Sequence, residues 1–282
     1  MNDEVSSAKT MNEPRFQFGK NWNKFLRLLD ETRISEAEKS LKGMLETEDL
    51  NNRRFLDIGS GSGLFSLAAK RLGATVHSFD YDSGCVACTE ELKHRYYPMD
   101  KGWRIEQGDV LDVTYLNSLG KYDIVYSWGV LHHTGNMWAA LENVARLVDG
   151  RGKLFISIYN DQGIFSEFWK ILKQFYNLSP KPMRIMIILW IGASLQTGSA
   201  FVRLLRGQNP FSFRYWKEKK RNRGMSVWHD LVDWVGGFPF EVAKPDEIFE
   251  FYKTRGFVLT KLRTCGISLG CNEYVFIREK MN

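Results

Sequence analysis

Cysteine is scarce in this 282-residue chain, and the four present, Cys85, Cys88, Cys265 and Cys271, are poorly spaced for a metal. Cys85-x-x-Cys88 is half of a zinc pattern, Cys265-x₅-Cys271 is a poor second half, and the first pair falls in a helical stretch where free cysteine packs as a small apolar residue. No metal is expected. Nothing at the start reads as a secretory leader, so reduced thiols in a cytoplasmic protein are the expectation. An excess of one charge is lacking too: 39 Lys and Arg against 33 Asp and Glu give +6, too little by itself to argue for nucleic acid. Five histidines are available for proton chemistry, His77, His94, His132, His133 and His229; the first two fall within a strand and near a helix end, where structure accounts for them. Ile185–Val202 has 18 residues without a charge, the lower limit for a membrane span, but Gly192, Gln196, Thr197 and Gly198 dilute it.

What the chain does have is 44% hydrophobic content, enough for one large core, with nine Trp and 19 Phe that suggest an aromatic-lined cavity as well. The organising stretch is Arg53-Arg54-Phe55-Leu56-Asp57-Ile58-Gly59-Ser60-Gly61-Ser62-Gly63-Leu64-Phe65, read as strand, glycine turn and helix start. Such a turn aims backbone N–H groups at whatever lies above the strand end, and glycine permits both positive φ and close approach. A tight strand-to-helix turn needs the same residues. The Gly-x-Gly-x-Gly spacing, with Asp57 just ahead, differs from the Gly-x-Gly-x-x-Gly of nicotinamide enzymes and suits a ligand without phosphates. A second strand, Ala74–Phe79, ends at Asp80, 19 positions after Gly61, where a ribose diol would be held. A third (Trp103–Gln107) leads into Gly108-Asp109-Val110, and a fourth (Tyr122–Trp128) into Gly129-Val130-Leu131-His132-His133-Thr134.

In these motifs, Asp57–Gly63, Asp80, Gly108–Val110 and Val130–His133, the chain resembles class I S-adenosylmethionine-dependent methyltransferases, nearest to the small-molecule group that includes quinone-ring methylases. The resemblance covers about Arg53–Asn160. It implies a doubly wound, Rossmann-like α/β fold with a mostly parallel seven-stranded sheet, and S-adenosylmethionine as cofactor, leaving as S-adenosylhomocysteine. By motif position, Gly59, Gly61 and Gly63 would let the backbone approach the amino-acid and ribose portion. Asp57 would position the loop or meet the ammonium group, Asp80 would accept from the ribose hydroxyls, Tyr81 would lie beside the adenine, and Asp109 and Val110 would take its edge. Trp128, at the end of the fourth strand, joins this cofactor-binding set.

Around that core, the expected organisation is an N-terminal tail with cover helices (1–50), a cofactor-binding core (51–160), a large helical insert forming an acceptor lid (161–243), and a helix with two antiparallel strands completing the sheet (244–282). Trp22, Phe25, Leu26 and Leu29 have helical spacing, either simply packed or, with Phe18, forming an aromatic cover over a sulfonium cation. Helices are expected at Ser35–Glu46, Asn136–Val148, Gly163–Tyr176 and Pro245–Arg255, and the last strands at Phe257–Arg263 and Asn272–Arg278. Ile185–Val202 reads as a lid helix or subunit contact, with interfacial membrane contact and a true span as alternatives. Arg214–Arg223 holds six basic residues against one acid, either a solvated face or a surface for lipid headgroups, a phosphorylated substrate or RNA.

Methyl transfer is an in-line displacement for which the protein supplies alignment, exclusion of water and, for a hydroxyl acceptor, a base. Candidate bases are His229, whose neighbours Asp230 and Asp233 would raise its basicity, and His132 and His133 at the carboxyl edge of the fourth strand. All three have structural alternatives: a capped surface helix for the first, a loop-shaping pair for the others. Tyr159, Asn160, Asp230 and Trp234 are candidate acceptor contacts. The expected activity is methyl transfer to a small molecule, more readily at oxygen than at carbon or nitrogen. The alternatives are a membrane-associated methylase of a lipid, quinone or lipid-linked glycan, an RNA methylase, and a cofactor-binding scaffold without turnover. Against RNA stand the lack of a recognisable RNA-binding module and of an Asn-Pro-Pro-Tyr-type motif; against cytosine C5 chemistry, the lack of a Pro-Cys motif. Nucleic acid is therefore not expected as partner, peripheral contact with the inner face of a membrane stays open, and oligomeric state is not readable.

Overall fold

Four of the five parallel strands, at 54–58, 75–80, 122–128 and 152–159, are buried along most of their length, whereas the edge strand at 103–107 buries only Trp103. The computed structural model describes residues 19–205, 207–209, 227–266 and 270–279. The strands are β1 (Arg54–Ile58), β2 (Thr75–Asp80), β3 (Trp103–Gln107), β4 (Tyr122–Trp128), β5 (Val148–Tyr159), β6 (Phe257–Arg263) and β7 (Cys271–Arg278). They form one seven-stranded sheet in the order β3-β2-β1-β4-β5-β7-β6, parallel except for β7, which runs antiparallel to both β5 and β6. Strand β5 takes over at Val148, which was expected to end the preceding helix. Val148 pairs with Tyr122, and the register then shifts so that Lys153 pairs with Ile124; the Asp149-Gly150-Arg151-Gly152 turn is absorbed as a bulge.

Between the strands lie α1 (Gly19–Leu26), α2 (Glu31–Leu45), α3 (Leu64–Arg71), α4 (Ser83–Tyr96), α5 (Val113–Leu119), α6 (Met137–Leu147) and, before β6, α10 (Pro245–Lys253). Helix α2 begins four residues ahead of the sequence reading because Asp30 caps it, its carboxylate accepting from Arg33 N at 3.0 Å. Alternation along the strands divides the core in two. Phe55, Val76, Ile124, Tyr126 and Phe155 pack under α2, α3 and α4, while Leu56, Ile58, Val125, Leu154 and Ile156 pack against α6 and α10. Cys85 and Cys88 are buried in α4, and burial pushes both thiols up, Cys88 to about 11.

The chain divides into two compact units, one of 17–166 with 239–282, the other containing 167–238. In the second unit, α7 (Ile164–Leu178, entering from the first), α8 (Lys181–Leu205) and α9 (Val227–Gly236) form a separate small core of Tyr176, Ile188, Ile191 and Val235. Lys173 is fully buried there, its ammonium donating to Trp234 O beside that indole. Ile185–Val202 lies inside α8, which among the described residues is long and apolar enough to cross a membrane by length and composition alone, with 14% of its apolar window buried.

Candidate active site

Three glycines after β1 take left-handed conformations, φ +74° at Gly59, +56° at Gly61 and +78° at Gly63. The loop they make is held by the protein itself. Gly59 N and Ser60 N donate to Phe79 O, Gly63 N to Ser60 O, and Gly61 N to Asp80 Oδ2 at 2.9 Å. The expectation that the loop aims its N–H groups at a ligand therefore fails for these four, which are spent on β2 and on the turn. The glycines also serve close packing. A Cβ on Gly59 would meet the Val130 side chain at 2.4 Å, one on Gly63 the Thr89 backbone at 2.9 Å, and one on Gly61 the Trp22 indole at 3.2 Å. The last contact places Trp22 of α1 directly against the loop, as a cover would require.

Two carboxylates lie under and beside this loop. Asp57 is 2% exposed and accepts from Ser66 Oγ. Ser66 in turn contacts Ser78 Oγ at 2.7 Å, which accepts the Trp103 indole N–H at 2.9 Å. Burial raises the Asp57 carboxyl to about 7, outweighing the Ser66 hydrogen bond. Its contacts tie β1 to α3 and β2, so the positioning role is the one they support. Asp80, at the carboxyl end of β2, accepts from Gly61 N through one oxygen and from Asp82 N through the other, both at 2.9 Å. Burial raises it to about 6, against those two bonds and a weaker one from the Cys85 thiol. The Cys85 thiol also donates to this carboxylate, so of its four acceptor positions one remains for a ligand hydroxyl.

The neighbouring strand ends are laced to this point. Gly108 N donates to Asp80 O at 3.0 Å, and the Gln107 amide to Tyr81 O at 2.9 Å. Asp109 accepts from Leu111 N, and Val110 O accepts from the Asn143 amide. Asp80, Tyr81, Asp109 and Val110 are thus brought together on adjacent strands, with Tyr81 left 55% exposed.

On the other side of β1 the chain after β4 forms a 3-10 turn, Leu131–His133. The His133 Nδ1 lies 2.6 Å from Pro239 O. A carbonyl only accepts, so in the neutral ring Nδ1 carries the proton and Nε2 the basic lone pair. His132 is buried, and Tyr159 N–H donates to its Nδ1 at 3.4 Å. The Tyr159 ring lies 4.1 Å from His132, 5.5 Å from His133 and 5.2 Å from Phe240, making one aromatic bed at the carboxyl ends of β4 and β5.

This sheet order with a glycine loop after β1 has counterparts among known proteins. The methyltransferase domain family matches residues 29–229. This chain belongs to that family. The assignment agrees with the resemblance to class I S-adenosylmethionine-dependent methyltransferases, and the expected cofactor stands with it. The chain is 31% identical over 112 residues to a ubiquinone biosynthesis O-methyltransferase of Xanthomonas oryzae pv. oryzae, covering 40% of this chain and 45% of that protein. It is 39% identical over 85 residues to a ribosomal protein L11 methyltransferase of Prochlorococcus marinus, covering 29% and 24%. The chain thus spans less than half the length of these relatives. The magnesium protoporphyrin IX methyltransferase of Synechocystis PCC 6803, solved with bound SAH, superposes with TM-score 0.53 at 15% identity over 91% of this chain and 86% of that one. That likeness concerns the fold.

Several expected site residues of this methyltransferase-domain chain fall elsewhere. Trp128 donates its indole N–H to Glu273 of β7 at 2.9 Å, two strands beyond β4 and away from the glycine loop. Asn160 is held by Asn272 and by Gly266 O, which accounts for its amide. Trp234 packs on Trp169 at 4.1 Å within the small helical unit. Phe18 and Arg214–Arg223 lie outside the described residues, and so do the side chains of His229, Asp230 and Asp233, although α9 itself is described.

Other residues were missed. Asp82 caps α4 and also accepts from Gly19 N at 2.9 Å, fastening the start of α1 beside the loop. Residues 239–243 run along β5 and the 3-10 turn: Glu241 N donates to His132 O, Ala243 N to Tyr159 O, and the Glu241 carboxylate accepts from Met137 N. The Gly236-Gly237 pair ahead of Pro239 was the available signal for a chain turning back to the sheet.

The raised carboxyls predict a pH dependence of stability. Asp57 and Asp80 hold protons in the folded chain that the unfolded chain releases near pH 4. Their contribution therefore falls as pH rises, a penalty absent below about pH 4 and complete above about pH 7. The urea midpoint of the wild type should drop between pH 5.5 and pH 7.5 by more than that of Asp57→Asn. Identical pH profiles for the two proteins would show that Asp57 titrates normally.

Proposed function

We propose that this chain transfers a methyl group from S-adenosylmethionine to an oxygen of a small-molecule acceptor, with His133 as the base. The observation that carries the reading is Asp80, a desolvated carboxylate clamped by Gly61 N, Asp82 N and the Cys85 thiol at the carboxyl edge of the sheet, with one acceptor position remaining. When bound, the cofactor supplies an activated methyl group on a sulfonium. Asp80 would take a ribose hydroxyl, Tyr81, Asp109 and Val110 its adenine, and Trp22 would lend aromatic surface at the loop, where a cation is favoured.

On the acceptor side, the part-exposed rings of Tyr159 and His133, backed by the buried His132 and Phe240, favour a planar molecule that can lie on them. His133, with Nδ1 donating to Pro239 O, is oriented to receive a hydroxyl proton at Nε2. The partial match to an O-methyltransferase supports oxygen as the target. The family's ring-methylase likeness supports a small molecule over a macromolecule.

The test combines calorimetry with S-adenosylhomocysteine and turnover of methyl-labelled cofactor over a panel of catechols and hydroxyquinols. His133→Ala is expected to lower kcat by about 10²–10⁴-fold while leaving S-adenosylhomocysteine affinity unchanged. Unchanged kcat in that variant, over the full pH profile, would remove His133 from the mechanism.

A further inference from the structure

Helices α7 and α8 are apolar on two sides. One side of each makes the small core with α9: Tyr176 from α7, Ile188 and Ile191 from α8, and Val235. The other is exposed. On α7, Phe168, Ile171, Phe175 and Leu178 follow 3- and 4-residue steps and are all at least half exposed, Ile171 to 65%. On α8, Ile185, Met186, Leu189 and Trp190 repeat the pattern, with Trp190 62% exposed. A solvated helix carries polar residues on this side, and exposed apolar stripes of this size mark a docking surface.

Charge identifies what docks. Among the described residues 167–205, Lys170, Lys181, Arg184 and Arg203, besides the buried Lys173, stand against one acid, Glu167. Lys170 and Lys181 are exposed and lie on the same two helices as the stripes. A second copy of this surface would bring two positive surfaces together, and nucleic acid would leave the aliphatic stripes unsatisfied. An anionic bilayer satisfies both features, taking Ile, Leu, Met and Trp into the acyl boundary and the cations at its headgroups.

We propose that the exposed side of α7 and α8 docks this protein on an anionic lipid surface, lying in the interface and not crossing it. Interfacial placement follows from Ile188 and Ile191, which commit the opposite side of α8 to the protein's own small core. The inference stands independently of the acceptor and of methyl transfer.

Flotation of the full chain with vesicles tests it, using phosphatidylcholine alone and phosphatidylcholine with about a third phosphatidylglycerol. Most of the protein should float with the anionic vesicles at low salt, and at least about tenfold less with neutral vesicles or at high salt. Phe175→Asp/Leu189→Asp and, separately, Ile171→Ser/Trp190→Ser should each cut flotation about tenfold. Both pairs change exposed side chains, and circular dichroism and S-adenosylhomocysteine calorimetry verify that the fold is kept. Wild type that floats with neither vesicle overturns the proposal. So does flotation indifferent to both double variants, because charge alone would then suffice. So does a wild-type dimer that both variants dissociate without changing flotation. Flotation by a protein that binds no S-adenosylhomocysteine would leave this inference standing and remove the methyl-transfer reading.

Discussion

Replacing Asp80 by alanine is expected to weaken S-adenosylhomocysteine binding by about a hundredfold or more, with the chain still folded. A ribose hydrogen bond to this charged group contributes roughly 1.5–3 kcal/mol, which is most of that loss. The carboxylate does a second thing: it holds Gly61 N and Asp82 N, and through them the glycine loop against the end of β2. Removing it frees both N–H groups and loosens the loop, which adds to the loss. Global stability should change little, because the carboxylate sits in a desolvated place that raises it to about 6 and its removal relieves that cost. Asp80→Asn separates the two roles: it restores one acceptor to the loop but puts an amide donor where a hydroxyl would donate, so affinity should stay low. Calorimetry of the three proteins, with circular dichroism as the fold control, gives the answer. Equal affinity in wild type and Asp80→Ala would sink the cofactor assignment at this carboxylate.

The largest effect on stability is expected at the glycine loop. Gly59→Ala combines φ +74° with a Cβ 2.4 Å from one Val130 methyl and 2.5 Å from the other, and should cost about 2–4 kcal/mol. Gly63→Ala, at φ +78° with a Cβ 2.9 Å from the Thr89 Cα, should cost a similar amount. The two differ in what can rescue them. Val130→Ala removes the obstructing methyls, so Gly59→Ala/Val130→Ala should recover part of the loss. No side-chain change at Thr89 moves its Cα, so Gly63→Ala should resist rescue. Gly129 is the control: its φ is +75° but nothing lies within 4 Å of a Cβ there, so Gly129→Ala should cost only the backbone strain, about 1 kcal/mol. Urea unfolding measures all of these. Gly59→Ala within about 0.5 kcal/mol of wild type would show that the packing at Val130 yields freely.

Burial on both faces makes a parallel strand rich in apolar residues, and that is why Phe55–Ile58 and Ile124–Tyr126 could be placed in the sheet from sequence, while Val76–Phe79, with His77 and Ser78 inside it, was placed by the glycine loop before it and Asp80 after it. The acidic residues were equally legible, Asp57 two positions ahead of the first loop glycine and Asp80 at the end of β2. Other features depend on residues far apart in the chain. Nothing local to Trp128 says that its indole will reach Glu273, 145 positions away. Nothing local to His133 says that Pro239, 106 positions on, will accept from Nδ1 and thereby assign the basic lone pair to Nε2. The inward turn of the loop N–H groups is of the same kind, since β2 pairs alongside β1 and brings Phe79 O and Asp80 beneath them. By itself the sequence determined the order of the elements, the glycine conformations and the carboxylates at the strand ends, because those follow from periodicity and steric limits within a few residues. Which donor meets which acceptor around His133, Asp80 and Trp128 was decided only by the tertiary structure, because hydrogen bonds act over about 3 Å and only sheet pairing brings such distant residues that close.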